Sequence, residues 1–534
     1  MNKWLQRALP AVLSLGLILP AHGVTIPFKP KPKPKAPAKV DLGIFEGQND
    51  VGNVHPPGTA QFDKGQKTYT LTGAGDNMWM TKDSFHFVWK KVSGDVSLAA
   101  DIQFPSPGGN AHRKAAVLIR QSLDADSAYA DAALHGSGLT ALQFRTETGA
   151  TTNDTEMNFA SIAEAPNRLR IEKRGDLFTM YVSTHGEPLH STGATTRLHL
   201  DGSFYIGIGV CSHDPNTVEK AVFSNVDFHT LAEDSAAPAK TNLYSALQTI
   251  GIDAEGRRST LIYMKQGHFE APNWSRDGSS LVFDQDGQIM TVPADGKLPA
   301  TVHALDIGLA TKCNGSHGFS PDGKLLAISC NMPDAPGSRV YVIPGGGGKP
   351  QVVTANPSSY FHSWSPDGKT IAFTRPHQGG GDIYNIPAEG GDESALTSTV
   401  GISDDPDYSP DGQYIYFNSD RGGTMQIWRM HADGSQPEQV TSDEMNNWTP
   451  HVSPDGKWMV FLSYDKSVTG HPANKEISLR LMSLADKKIT KLVDLVGGSG
   501  TINVPSWAPD SHHLAFVSYE LLGEDQQDAA PKPK

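Results

Sequence analysis

Ser365-Pro366-Asp367-Gly368-Lys369-Thr370-Ile371-Ala372-Phe373 reads as a tight turn feeding a strand, and the chain repeats it. Serine opens the turn, proline presets φ, aspartate tolerates the third position, and Gly368 supplies the positive φ of a bulged hairpin. The apolar alternation that follows marks a strand. Sister turns stand at Ser275-Arg276-Asp277-Gly278, Ser320-Pro321-Asp322-Gly323, Ser409-Pro410-Asp411-Gly412, Ser453-Pro454-Asp455-Gly456 and, degenerate, Ala508-Pro509-Asp510-Ser511. From Asp277 to Asp510 the turn aspartates are 45, 45, 44, 44 and 55 residues apart, which is the spacing of propeller blades. Most units continue with a third strand ending in a second turn, at 289–296, 340–345, 383–390 and 427–434. One four-stranded blade per unit is the economical reading, so six turns imply six blades.

The last unit has room only for strands at 504–507 and 513–518 before a polar tail. Its missing strands are expected upstream, where 248–256 reads like 382–390 and 259–264 supplies an outer strand. Strand exchange between the start and the end of the repeat region would close the ring and remove its open edges.

Before the repeats, 40–231 shows alternating strands of another kind. Val96, Leu98, Ala100, Ile102 and Phe104 share one face, as do Phe178, Met180 and Val182, while Ile206, Ile208 and Val210 form another stripe. With 84–91, 114–121, 139–145, 168–173 and 221–228 these predict a two-sheet antiparallel sandwich. The expected organisation is a signal peptide at 1–23, a Pro/Lys linker at 24–39, the sandwich at 40–231, a connector at 232–241, the propeller at 242–520 and a polar tail at 521–534.

The first 23 residues carry Lys3 and Arg7, an apolar run and Ala21-His22-Gly23, the pattern of an export leader that is too short to span a bilayer. A periplasmic or secreted product follows, with no transmembrane segment after leader removal. Five lysines alternating with prolines then make a stiff, self-repelling spacer. Formal net charge is −13, which argues against a nucleic-acid partner. Of three cysteines, Cys313 and Cys330 fall opposite each other if Ser320 pairs with Gly323, so they are candidates for a disulfide or for two buried thiols. Cys211 reads as a core thiol.

The repeat region resembles the TolB-type family, whose blades carry the Ser-Pro-Asp-Gly signature. WD repeats are less similar, because no Gly-His and Trp-Asp pair recurs. The resemblance implies a six-bladed, exported propeller used for recognition. Authentic TolB has an α/β domain before its propeller, and a sandwich takes that place here. The first domain resembles concanavalin A-like jelly rolls through Phe85-His86-Phe87-Val88-Trp89-Lys90-Lys91, Lys114-Ala115-Ala116-Val117-Leu118-Ile119-Arg120 and Val210-Cys211-Ser212-His213-Asp214. Many members of that fold bind carbohydrate, and Arg120, His135, Gln143 and Arg145 are the candidates here, against a structural role for all four.

Aligning the innermost strands on the turn aspartate gathers a polar set at one mouth of the channel. It comprises His268, Glu270 and Asn273; Asn314 and His317; Tyr360 and His362; Asp404, Asp405 and Asp407; Asn446, Asn447, Trp448 and His451; and Asn503. Such residues can hydrogen-bond a hydroxyl-rich ligand, with Trp448 or Tyr360 stacking on a sugar face. No cofactor is required, but His317, His362 and His451 could hold a divalent metal completed by Asp405 or Glu270. The expected partner is a glycan or an envelope protein. The alternative is a metal-dependent polysaccharide lyase, since TolB-like propellers also resemble oligogalacturonate lyases, whose seven blades and His/Gln ligands are not reproduced here. Among other catalytic classes, no Gly-x-Ser-x-Gly elbow or Walker loop is present.

Overall fold

The computed structural model describes residues 40–523 apart from 185, 187–188, 232–240, 254–256, 311 and 399. The expected leader, the Pro/Lys linker, all but the last residue of the connector and positions 524–534 of the tail lie outside the described residues. Among the described residues every regular element is a β-strand, and no helix is long and apolar enough to cross a membrane.

Each repeat turn is built around one serine hydroxyl. Ser365 Oγ donates to Asp367 Oδ1 at 2.7 Å and accepts from Thr370 N at 2.9 Å, while Asp367 Oδ1 accepts Lys369 N at 3.1 Å. Gly368, at φ 70°, closes the turn by donating to Ser365 O at 2.8 Å. The same serine–aspartate bond recurs in the turns of Ser275, Ser320, Ser409 and Ser453. Five four-stranded antiparallel sheets result, with innermost strands Phe269–Trp274, Lys312–Phe319, Tyr360–Trp364, Ser403–Tyr408 and Asn446–Val452.

Five sheets stand alone, not the six expected. Thr241–Gly251 does pair antiparallel with His513–Gly523 on one edge and with Arg258–Gln266 on the other. However, 504–507 forms only the bridge Trp507↔Leu514, and Arg258–Gln266 continues in parallel onto Asn153–Phe159. These strands therefore end an eleven-stranded sheet instead of forming a separate blade. The edge that a sixth blade would expose is covered by the N-terminal half.

Neighbouring sheets are tied by short bonds between innermost strands. Phe319 N donates to Asn273 Oδ1 at 3.3 Å, Trp364 Nε1 to Gly318 O at 2.9 Å, Ser363 Oγ to Pro406 O at 2.9 Å, and Val452 N to Asp407 Oδ2 at 2.8 Å. The series continues with Trp507 Nε1 to His451 O at 2.9 Å and Ser506 Oγ to Pro272 O at 3.1 Å. The turn prolines Pro321, Pro366, Pro410 and Pro454 line one cavity of about 210 Å³ together with Pro505 and Trp507.

In the N-terminal half, seven strands including Thr68–Gly75, Val96–Gln103, Arg168–Arg174 and Leu177–Ser183 face the other part of the eleven-stranded sheet. One core draws Leu71, Leu98, Ile171 and Met180 from the first and Val117, Ile119, Ile206 and Ile208 from the second. Strands Tyr129–His135 and Asn153–Phe159 went unnoticed in the sequence. The first is buried at all seven positions, so it shows no alternation.

Cys313 and Cys330 are disulfide-bonded, with Cα atoms 4.0 Å apart. The route to this pairing differs from the expected hairpin. Ser320 N bonds Leu325 O, so Phe319 faces Leu326 and His317 faces Ile328, and an irregularity between Cys313 and His317 then restores the cysteine pairing. Cys211 is a buried free thiol.

Because Ser365 Oγ makes two bonds that position the turn, Ser365→Ala is expected to lower unfolding free energy by about 1–2 kcal/mol. A urea titration followed by tryptophan fluorescence measures it, and an unchanged midpoint would remove the serine from the account of the turn.

Candidate functional site

Every innermost strand breaks register once before its turn. The breaks fall between Glu270 and Asn273, Cys313 and His317, Phe361 and Ser363, Asp404 and Asp407, and Trp448 and His451. Ala271, Gly315, Asp405 and Thr449 take positive φ there. A bulge re-aims the side chains on either side of it, and most of the candidate polar residues flank these breaks.

His362, Asp404 and Asp405 come together. His362 Nδ1 lies 3.3 Å from Asp405 Oδ1, and its Nε2 lies 3.5 Å from Asp404 Oδ1. His362 and Asp405 are 7% and 6% exposed, yet His362 Nδ1 and Asp405 Oδ2 have no hydrogen-bond partner. Burial pushes the imidazole down to about 4, and burial with the adjacent Asp404 carboxylate pushes Asp405 well above the usual carboxylate range. Asp405 holds φ 52°, a conformation that costs a non-glycine residue roughly 1–3 kcal/mol.

Asp404 opens onto a cavity of about 380 Å³ lined by Thr374, Gly379–Gly381, Ile402, Trp448 and His471. The lining carries neither lysine nor arginine. Trp448 is 2% exposed, its Nε1 is unpartnered, and His471 covers it with ring centroids 4.4 Å apart. Stacking of Trp448 on a sugar face is therefore corrected, because His471 occupies that place. His471 lies between Trp458–Tyr464 and Lys475–Ser483, away from the innermost strand, where alignment on the turns gives no signal for it.

The remaining candidates are spread along the breaks. His317 is fully buried with both ring nitrogens unpartnered, and burial pushes it down to about 3. His451 Nε2 donates to Ile502 O at 2.7 Å, leaving Nδ1 3.8 Å from Asp407. Among the described residues the one metal-capable group of three is His362, Asp404 and Asp405, and neither His317 nor His451 joins it. Asn447 is engaged by Gln426, Asp443 and Ser463, while Asn503 Oδ1 accepts Gly500 N. Asn446 and Asn314 bond Val468 O and Ser338 Oγ. Tyr360 is half-buried where its strand begins.

Glu270 forms a second centre. His268 Nε2 is 3.8 Å from its carboxylate and stacks on Tyr519. Gly315 and Gly500 pass so close that a Cβ on either would lie 2.4 and 2.8 Å from its oxygens. In the N-terminal half Arg145 clamps Asp83 through two nitrogens at 2.9 and 2.8 Å, and Arg120 adds a contact at 3.4 Å. His135 Nδ1 lies 3.0 Å from Leu139 O, and Gln143 is buried.

The sequence profile of the TolB beta propeller domain matches residues 362–518. An uncharacterized protein of Agrobacterium fabrum is 42% identical over 263 residues, which cover 49% of this chain and 89% of the relative. The chain belongs to the TolB-like β-propeller family. A solved Agrobacterium tumefaciens structure assigned as TolB is 40% identical, with TM-score 0.49, and covers 52% of this chain and 99% of its own. TolB of Acinetobacter baumannii is 15% identical, with TM-score 0.36, over 61% of this chain and 79% of its own. In this TolB-like chain the site residues fall at the breaks just described.

Burial, then the nearby Asp284 carboxylate, pushes Glu270 up to about 7. A carboxyl raised above its ordinary 4.5 contributes stability in full below that value and loses it as pH rises through about 7. Glu270→Gln is therefore expected to flatten the decline between pH 5 and 8, by an amount on the order of 1–3 kcal/mol. Urea midpoints at the two pH values check this, and parallel wild-type and variant curves would contradict it.

Proposed function

We propose that this TolB-like protein is an exported recognition module of the cell envelope that takes a glycan or a protein segment at the open ends of its inner strands. The observation that carries the reading is the cavity of about 380 Å³ lined by Asp404, Trp448 and His471. Its size suits one sugar or one peptide side chain. The Asp404 carboxylate and the His471 imidazole offer hydrogen bonds to hydroxyl or amide groups. Among the described residues no lysine or arginine lines the cavity, so its side chains by themselves favour a neutral or cationic ligand over an acidic one. Export rests on the leader-like first 23 residues.

Within this reading, Trp507, His513–Gly523, Thr241–Gly251 and Arg258–Gln266 act as a sixth wedge that closes the ring, and the N-terminal half is a concanavalin A-like sandwich. The Ser506–Pro272 bond and the approach of Gly278 to Pro509 support the closure, since each repeats a contact made between other neighbours. A metal-dependent lyase acting on uronates ranks second: with no lysine or arginine in the described lining, neutralising the substrate carboxylate would depend on a bound metal alone.

Oligosaccharide and peptide arrays probed with the wild type and with Asp404→Asn/His471→Ala test the site. Binding of a neutral or cationic ligand is expected to weaken by at least about tenfold in the variant, as for loss of one or two hydrogen bonds. Equal binding by both proteins would move recognition elsewhere, and unsaturated products from a uronate polymer would favour the lyase.

A further inference from the structure

We infer that His362, Asp404 and Asp405 form a binding site for one first-row divalent cation, of the Mn²⁺ or Zn²⁺ kind. One ligand atom from each residue lies within 4.8 Å of the other two. The nearest nitrogen-to-oxygen separations are 3.3 and 3.5 Å. Donors bound at about 2.1 Å to a shared cation sit at about this separation, so small side-chain adjustments bring them into register.

Two features set the cluster apart from an ordinary ion pair. A buried imidazole beside two carboxylates normally satisfies itself by hydrogen bonding, but here His362 Nδ1, although 3.3 Å from Asp405 Oδ1, makes no hydrogen bond, and Asp405 Oδ2 is buried without one. In addition, Asp405 is held in the left-handed region at φ 52° within a bulge, which turns it toward His362 instead of along the strand. The donor set of one nitrogen and two anionic oxygens balances a double positive charge, and the imidazole selects a transition ion over Ca²⁺ or Mg²⁺. Asp404 also lines the larger cavity, so free coordination positions would face whatever enters it.

The site shares its cavity with the recognition reading, but the ion alone suffices for its test. Full-length protein stripped with a chelator is titrated with MnCl₂ or ZnCl₂ by calorimetry, and Co²⁺ is added separately for its visible spectrum. One ion per chain is expected. Affinity should fall at least about tenfold in Asp405→Asn and in His362→Gln, as for loss of a ligand or its support, and should be unchanged in His451→Gln. If a variant fails to fold, the Co²⁺ spectrum of the wild type decides, through a coordination band that Zn²⁺ abolishes. No binding at millimolar metal, or equal affinity in folded Asp405→Asn, overturns the site. Metal bound without any array ligand would sink the recognition reading alone, and a ligand bound without metal would sink only this inference.

Discussion

Eleven successive residue pairs between Thr241–Gly251 and His513–Gly523 hold together the two ends of the repeat region. Closing so long a loop costs entropy before any contact rewards it, so the pairing has to be extensive to persist. It has consequences on both sides. One edge of Thr241–Gly251 carries Arg258–Gln266, which passes the sheet on to Asn153–Phe159. His513–Gly523 places Leu514 against Trp507, whose neighbour Ser506 bonds the first inner strand. Remove this ladder and the first blade, the segment at 502–507 and the N-terminal half all lose their common support.

That support is reinforced from a second direction. Strand His190–Arg197 touches the same ladder through Ser191 and Glu520, and reaches Lys475–Ser483 through Arg197 and Glu476. Lys297 and Leu298 also pair with Asn158 and Phe159. The N-terminal half is thus joined to the repeats by backbone pairing and by side chains.

The repeats were legible because each turn needs particular residues at fixed places: serine for the hydroxyl, proline for φ and glycine for positive φ. The two-sheet core was legible wherever strands alternate, as at Phe178, Met180 and Val182. What escaped was pairing between unlike parts of the chain. Nothing in the sequence of Asn153–Phe159 announces that it will cover Arg258–Gln266, so a sixth free-standing blade was expected where a shared sheet exists. The facing of Cys313 and Cys330 was expected from a hairpin register that differs from the one found; they meet because a bulge offsets the shift introduced by the turn.

The site was legible in rows but not in depth. Alignment on the turn aspartates selects residues near the register breaks, yet it cannot say which way a bulge turns each one. Asp407 engages Val452 N through its carboxylate and Asn447 engages three neighbours through its amide, so both tie neighbouring sheets together. His362 and Asp405, at equivalent breaks, are left buried and unsatisfied. Their desolvation and the positive φ of Asp405 are paid for by the bonds between neighbouring inner strands, which fix the backbone on both sides. A buried imidazole and carboxyl without hydrogen bonds cost more than an apolar pair would by burial alone, so their presence beside an open cavity is argument for a role in binding and against one in stability.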